Sequence, residues 1–322
     1  MTRTVLRADA VFQGGGVKVI GLVGALTVAE SYGYRWVNLA GTSAGALVAA
    51  LAAAGYRAEE MAQLLQEMDF RIFRDAPWWA KIPLAGPALA LLLTKGLYKG
   101  DALEEWVRGL LARRGVRTFA DLVIPGERDE RFRFKLQVIA ADISRGRMVV
   151  LPRDIAAYGV DPEQLDVARA VRMSASLPYF FRPVTQHFPA PDGGFRSYIV
   201  DGGVLSNFPV WLFDVPGTPP WPTIGFMLVS RPPGRPHRIR GPVSFGAAVV
   251  STMLEAHDAQ YLEEADGVRT IRVPAVGVRA TDFELSPEER RRLFAAGAEA
   301  ARRFFEQWNF ERYVRLYRTG TA

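Results

Sequence analysis

The chain has 322 residues, 49% hydrophobic and 23% charged, an ordinary globular balance that excludes wholesale disorder. It has no cysteine and three histidines (His187, His237, His257), which excludes a disulfide framework, a thiolate metal site, a cysteine nucleophile and a histidine-rich metal site. The net charge of +6, carried by 35 arginines and five lysines, allows acidic ligands or anionic surfaces, but the patches at Arg231–Arg240 and Arg290–Arg292 read as solvated faces.

In chain order, Ala10-Val11-Phe12 is a short apolar strand running into Gly14-Gly15-Gly16, with no small-residue cleavage site of a secretory leader. Apolar spacing near 3.6 then predicts a helix over Val17–Tyr32. A second strand, Trp36–Ala40, ends in Gly41-Thr42-Ser43-Ala44-Gly45 and passes into a helix over Ala46–Ala54 that Gly55 stops. Strand, helix, strand, helix is the grammar of a parallel α/β sheet.

Residues 56–130 read as mostly helical. The most apolar stretch, Ile82–Thr94, lies between Lys81 and Lys95 and contains Pro83 and Pro87. As a helix it would span only about 20 Å, against a bilayer core of about 30 Å, so it does not cross a membrane. With Trp78 and Trp79 it reads as a buried core helix, an acyl channel or a contact with a bilayer surface.

Beyond it, Phe134–Asp142 and Met148–Leu151 are predicted strands joined by a turn at Ser144-Arg145-Gly146, and Leu165–Met173 is a predicted helix ending before Ser174-Ala175-Ser176-Leu177-Pro178. Tyr198–Val200 is a strand ending at Asp201-Gly202-Gly203, and Ile224–Val229 is the last clear strand. A Pro- and Arg-rich loop over Arg231–Pro242 precedes a helix from Ser244 to Ala265. The final helix carries Ser286 as N-cap, Pro287 at the first position and Glu289 closing a capping box. Leu293, Gly297, Ala300, Phe304 and Trp308 recur on one face of that helix, which reads as a packing element. There is no internal repeat and no linker, so residues 1–322 read as one domain. Its core is about 8–230, with a helical insert at about 56–130 and C-terminal helices at about 244–318.

Two glycine-rich turns carry chemistry. Gly41-Thr42-Ser43-Ala44-Gly45 is a Gly-x-Ser-x-Gly pattern between a strand and a helix, where a serine on a sharp turn faces the free N–H groups of the helix start. Gly14-Gly15-Gly16 leaves backbone N–H groups able to converge on an anion, either a phosphate or the oxyanion of acyl transfer. Val19 stands where a dinucleotide fingerprint needs its third glycine, and Lys18 does not belong to a P-loop pattern. His237 in a Pro/Arg loop and His257 inside a helix lack the setting of a Ser–His–Asp triad. Asp201, at a strand end, could instead take the serine proton directly if burial raised its pKa; read alone, it is a turn aspartate before glycines.

Taken together, these pieces resemble the patatin-like phospholipases. The resemblance rests on Gly14-Gly15-Gly16-Val17-Lys18, Gly41-Thr42-Ser43-Ala44-Gly45, Ser174-Ala175-Ser176-Leu177-Pro178 and Asp201-Gly202-Gly203, with Asn207-Phe208-Pro209 beyond, and spans about residues 8–230. It implies a three-layer α/β/α fold with a mainly parallel sheet, a Ser–Asp dyad without histidine, and lipid acyl hydrolysis with no metal and no cofactor. Ser43 would be the nucleophile and Asp201 the general base, with an oxyanion hole from Gly14, Gly15 and Gly16 and with Ala44 adding an N–H. Lys18, Gly41, Gly45, Gly202 and Gly203 would support the motifs, and Ser174 and Ser176 would shape the loop near the site. Val19 departs from the family, which commonly has glycine there.

The expected partner is a lipid ester, a phospholipid or lysophospholipid, in a cytoplasmic protein with peripheral contact at the inner membrane face. A non-catalytic lipid- or anion-binding protein of the same fold and an acyltransferase are the alternatives. Nucleic-acid binding has no recognition motif behind it.

Overall fold

The computed structural model describes residues 5–78, 85–191, 193–229, 264–280 and 282–318, with single positions or pairs at 239, 241, 245–246, 248–249 and 252. Trp79, Ile82, the histidines at 237 and 257 and nearly all of the two segments predicted over Arg231–Pro242 and Ser244–Ala265 lie outside the described residues.

β1 (Leu6–Phe12) leads through the triple glycine and a 3-10 turn over Gly16–Lys18 into α1 (Val19–Ser31). β2 (Tyr34–Thr42) follows, four residues longer than its apolar run, and α2 (Ala44–Ala53) begins two residues after it ends. The next stretch holds α3 (Ala58–Glu67), α4 (Ala85–Thr94), β3 (Gly96–Tyr98) and α5 (Asp101–Ala112). β4 (Leu136–Asp142) and β5 (Arg147–Leu151) form the expected hairpin, paired antiparallel from Val138–Leu151 to Asp142–Arg147. After α6 (Val167–Ser174) come β6 (Tyr179–Phe181), β7 (Val184–Phe188), β8 (Phe195–Asp201) and β9 (Thr223–Val229). The chain closes with α7 (Glu264–Val268), β10 (Thr270–Pro274), α8 (Pro287–Gln307) and α9 (Phe310–Tyr317).

The sheet order is β10-β9-β1-β2-β4-β8-β7, with β5 also on β4 and a separate pair β3–β6. From β10 to β4 all neighbours are parallel, whereas β8 runs antiparallel to β4 and β7 antiparallel to β8. Helices cover both faces, a three-layer α/β/α arrangement, because side chains alternate along each strand. Ala8, Ala10 and Phe12 of β1 belong to the main core with α1, α2 and α8, while Val11 and Ala40 face Phe213 on the other side, backed by Phe132, Phe208 and Leu212. β10 was not expected: Thr270–Pro274 is five residues long with Arg272 and Pro274 pointing outward, too short a run for periodicity to separate from a loop.

α1 is buried almost all round rather than along one stripe, because β-strands lie beneath it and α8 above. A Cβ on Gly297 of α8 would stand 1.8 Å from the Gly21 carbonyl oxygen of α1, so the two backbones meet at closest approach there. That contact centres α8 on the row Leu293, Gly297, Ala301 and Phe305, all buried, and leaves Ala300, Phe304 and Trp308 of the expected face only half-buried. Its start is as expected: Glu289 N–H donates to Ser286 Oγ (3.2 Å) and Ser286 N–H to Glu289 Oε2 (2.8 Å). Arg290, expected on a solvated face, instead donates to the Gln66 and Met68 carbonyls at 2.7 Å each, closing the open end of α3.

Candidate active site

β2 runs through Thr42 and α2 starts at Ala44, so Ser43 alone makes the turn, with φ 55° and ψ −126°. A non-glycine residue held there stores about 1–3 kcal/mol of backbone strain. The flanking glycines are set by contact: a Cβ on Gly45 would lie 2.3 Å from the Phe12 carbonyl oxygen, and one on Gly41 2.3 Å from that of Gly45. Ser43 precedes the helix yet makes no side-chain cap to it, and its hydroxyl turns to Asp201.

Asp201 arrives differently from the way its strand-end position implied. β8 is antiparallel to β4, so its carboxyl end meets the carboxyl end of β2 in the middle of the sheet rather than alongside it. Asp201 pairs with Ala140 while Thr42 pairs with Ile139, one residue away on the same strand, which brings Asp201 and Ser43 together. The carboxylate is 1% exposed and accepts the Gly203 N–H (2.9 Å), and the facing Ser43 hydroxyl also favours its ionised form. Burial pushes its pKa up to about 6, and the two donors only partly offset that. At neutral pH it is therefore mostly ionised yet more basic than an ordinary aspartate. Gly202 fits where a Cβ would come within 2.3 Å of the Ile139 carbonyl oxygen.

The triple-glycine loop runs beside the serine, since a Cβ on Gly14 would sit 3.0 Å from Ser43 Cβ. Its N–H groups are not equivalent. Gly14 N–H donates to the Asn207 carbonyl at 3.3 Å, and Asn207 Nδ2 returns a bond to the Gly14 carbonyl at 3.4 Å. Among the described residues, the N–H groups of Gly15, Gly16 and Ala44 have no acceptor. Lys18 is buried with Cε 3.6 Å from where a Gly15 Cβ would stand, so its chain supports the loop from below. Val19 has φ −53° and is buried at the head of α1, an ordinary helical position that needs no glycine.

The sequence defines no contacts for Ser174, Ser176 and Asn207; all three are buried and bonded into the site. Ser43 N–H donates to Ser174 Oγ (2.8 Å), and Asp201 N–H donates to the Ser176 carbonyl (2.9 Å). The signal was their placement in one short block before Asp201, but spacing alone does not give hydrogen-bond partners. His187 is exposed on β7, the outermost strand on that side of the sheet. Among the described residues there is no cluster of metal-ligating side chains and no helix long and apolar enough to cross a membrane. Trp78 is 80% exposed, and α4 shows Leu92 and Leu93 at its surface rather than in the core.

Three comparisons place this arrangement. A family model described as patatin-like phospholipase matches residues 10–214. An uncharacterized protein, YqhO of Bacillus subtilis (strain 168), is 40% identical over 304 residues, covering 94% of this chain and 99% of its own. The solved structure of VipD from Legionella pneumophila is similar at a TM-score of 0.55 and 17% identity, over 93% of this chain and 66% of VipD, a likeness of fold. The type III effector protein ExoU has a TM-score of 0.48 at 16% identity, over 94% of this chain and 53% of ExoU. The chain thus spans about two thirds of the one solved chain and half of the other.

Proposed function

Because the chain belongs to the patatin-like phospholipase family, we propose that it is a serine lipid acyl hydrolase cleaving phospholipid or lysophospholipid esters through an acyl-enzyme. The observation that carries this reading is a strained Ser43 whose hydroxyl faces a buried carboxylate with its pKa raised to about 6.

Asp201 accepts the Ser43 proton as Oγ forms a bond to the ester carbonyl carbon. The developing oxyanion takes the N–H groups of Gly15, Gly16 and Ala44, and Gly14 holds the loop through Asn207. Collapse breaks the ester C–O bond, and the leaving alcohol or lysolipid oxygen receives the proton from Asp201. Water then gives a proton to Asp201 and attacks the acyl carbon; the Oγ–acyl bond breaks, the fatty acid leaves, and Asp201 returns the proton to Ser43 Oγ. The start of α2 at Ala44 adds its dipole to the oxyanion site.

Leu89, Leu92 and Leu93 of α4, and separately the exposed Trp78, are the residues that meet a lipid surface in this reading. α4 leads directly into β3, β3 pairs with β6, and β6 follows the Ser174–Pro178 loop that touches Ser43.

Labelling with a fluorescent fluorophosphonate tests the proposal. Wild type labels, Ser43→Ala does not, and Asp201→Asn labels at least about 100-fold more slowly. A folded wild type that fails to label, or a Ser43→Ala variant that still labels, refutes it.

A further inference from the structure

We infer that Ser174 is a positioning residue for the nucleophile: its hydroxyl holds the backbone of Ser43 in the conformation that aims Oγ at Asp201. This deepens the hydrolase reading and rests on it for the role of Ser43.

The geometry is a fixed relay. Ser43 N–H donates to Ser174 Oγ at 2.8 Å, and the Ser174 hydroxyl in turn donates to the Ile139 carbonyl at 2.5 Å. A hydroxyl has one proton, and Ile139 takes it, so the lone pairs of Ser174 Oγ are left to face the Ser43 amide. Ser174 is 0% exposed, and Ile139 belongs to β4, directly paired with Thr42 of β2. The acceptor offered to Ser43 is thus anchored to the strand beside the one that carries the nucleophile.

Ser43 needs such an anchor. At φ 55° and ψ −126° it lies outside the regions a serine adopts without strain. Relaxing that strain would rotate the peptide N–H and the side chain together, and so would turn Oγ away from the carboxylate. With Ser174 in place, rotation breaks a buried hydrogen bond and leaves its polar groups unpaired, which opposes the relaxation.

The same short segment also fixes the base. Asp201 N–H donates to the Ser176 carbonyl (2.9 Å), and the buried Arg172 guanidinium donates to Ser176 Oγ (2.5 Å) and to the Lys99 (2.5 Å) and Arg182 (2.8 Å) carbonyls. One loop therefore sets the positions of nucleophile and base relative to each other, through a side chain to the first and a carbonyl to the second.

The test compares wild type, Ser174→Ala, the near-isosteric Ser174→Cys, whose thiol is a weak acceptor, and Ser197→Ala as a control. Ser197 is equally buried, and its hydroxyl bonds Asp142 (2.9 Å), away from Ser43. Two readouts are taken: saturation kinetics of fluorophosphonate inactivation, and amide hydrogen exchange of the peptide spanning residues 41–48. Both Ser174 variants are expected to lower the maximal inactivation rate about 10- to 100-fold, the loss typical of a misplaced nucleophile, with the half-saturating concentration within about twofold. Exchange in the 41–48 peptide rises in both, whereas Ser197→Ala leaves rate and exchange there at wild-type values. Should Ser174→Ala not fold, Ser174→Cys carries the comparison alone. Wild-type inactivation rate and unchanged exchange in a folded Ser174 variant overturn the inference. If wild type itself does not label, the hydrolase reading fails, and the exchange arm still decides whether Ser174 holds Ser43.

Discussion

At the scale of residues, the proposed site is two polar side chains whose chemistry is set by what surrounds them. A carboxylate in water would be a poor base for a serine hydroxyl, because its pKa near 4 leaves little driving force for proton transfer. Asp201 escapes that limit because desolvation lifts it to about 6, while the Gly203 N–H and the Ser43 hydroxyl keep it from rising into the range where it would be protonated at pH 7. The consequence is a defined pH profile. Only the ionised form accepts a proton, so kcat/KM on a short-chain ester should climb about tenfold per pH unit below pH 6 and level off above it. A histidine would titrate nearby, so the profile is to be measured also in His187→Ala, His237→Ala and His257→Ala. Each should keep the wild-type limb and most of the activity; loss of activity in any one as complete as in Ser43→Ala would refute the dyad.

At the scale of elements, the motifs were legible and their joining was not. The glycine pattern around Ser43 exposes its reason in sequence, since strand, turn and helix must touch at Gly41 and Gly45. Likewise Ser286, Pro287 and Glu289 announce the start of α8 because capping is a local interaction. The direction of β8 is not local: antiparallel pairing to β4 follows from which strand Asp201 finds as neighbour, and nothing within Tyr198–Asp201 encodes it. β3, β6, β7 and β10 escaped for a related reason, being three to five residues long and specified by their partners rather than by their own pattern. α4 was ambiguous between core and surface because a uniformly apolar helix has no polar face to orient it. Its exposed leucines yield a prediction. Leu92 and Leu93, 78% and 64% exposed, should anchor the protein on vesicles, so the Leu92→Ser/Leu93→Ser double variant should co-sediment with phosphatidylcholine–phosphatidylglycerol liposomes at least about fivefold less than wild type. Labelling by a soluble fluorophosphonate should be unchanged. Equal vesicle binding by the two proteins would remove α4 from the membrane contact.

At the scale of the whole molecule, three carboxylates are buried among the described residues, Asp9, Asp142 and Asp201, and only Asp201 belongs to the proposed site. Asp9 lies on β1, 4% exposed, where the β1–β2 register shifts between Ala8 and Ala10. Ala8 pairs with Trp36 and Ala10 with Leu39, so β2 carries one residue more than β1 over that interval, and the carboxylate of Asp9 accepts the Asn38 N–H at 3.0 Å. The Asn38 side chain goes on to the Phe132 and Phe134 carbonyls at 3.1 and 3.2 Å, which ties the bulge to the segment entering β4. Burial raises the Asp9 pKa to about 7, more than the bonds from Asn38 and Trp221 lower it. In the unfolded chain the same carboxyl titrates near 4, so between pH 4 and 7 the folded state holds a proton that the unfolded state has released. Stability from this group is complete below pH 4 and is lost as pH rises through 7; Asp201 acts in the same direction through about 6. Wild-type Tm should therefore fall as pH is raised from 5 to 8. Asp9→Asn keeps an acceptor for the Asn38 N–H without the ionisation, so its Tm should fall less over the same interval, by several degrees. Parallel Tm curves for the two proteins would show that Asp9 does not carry this proton.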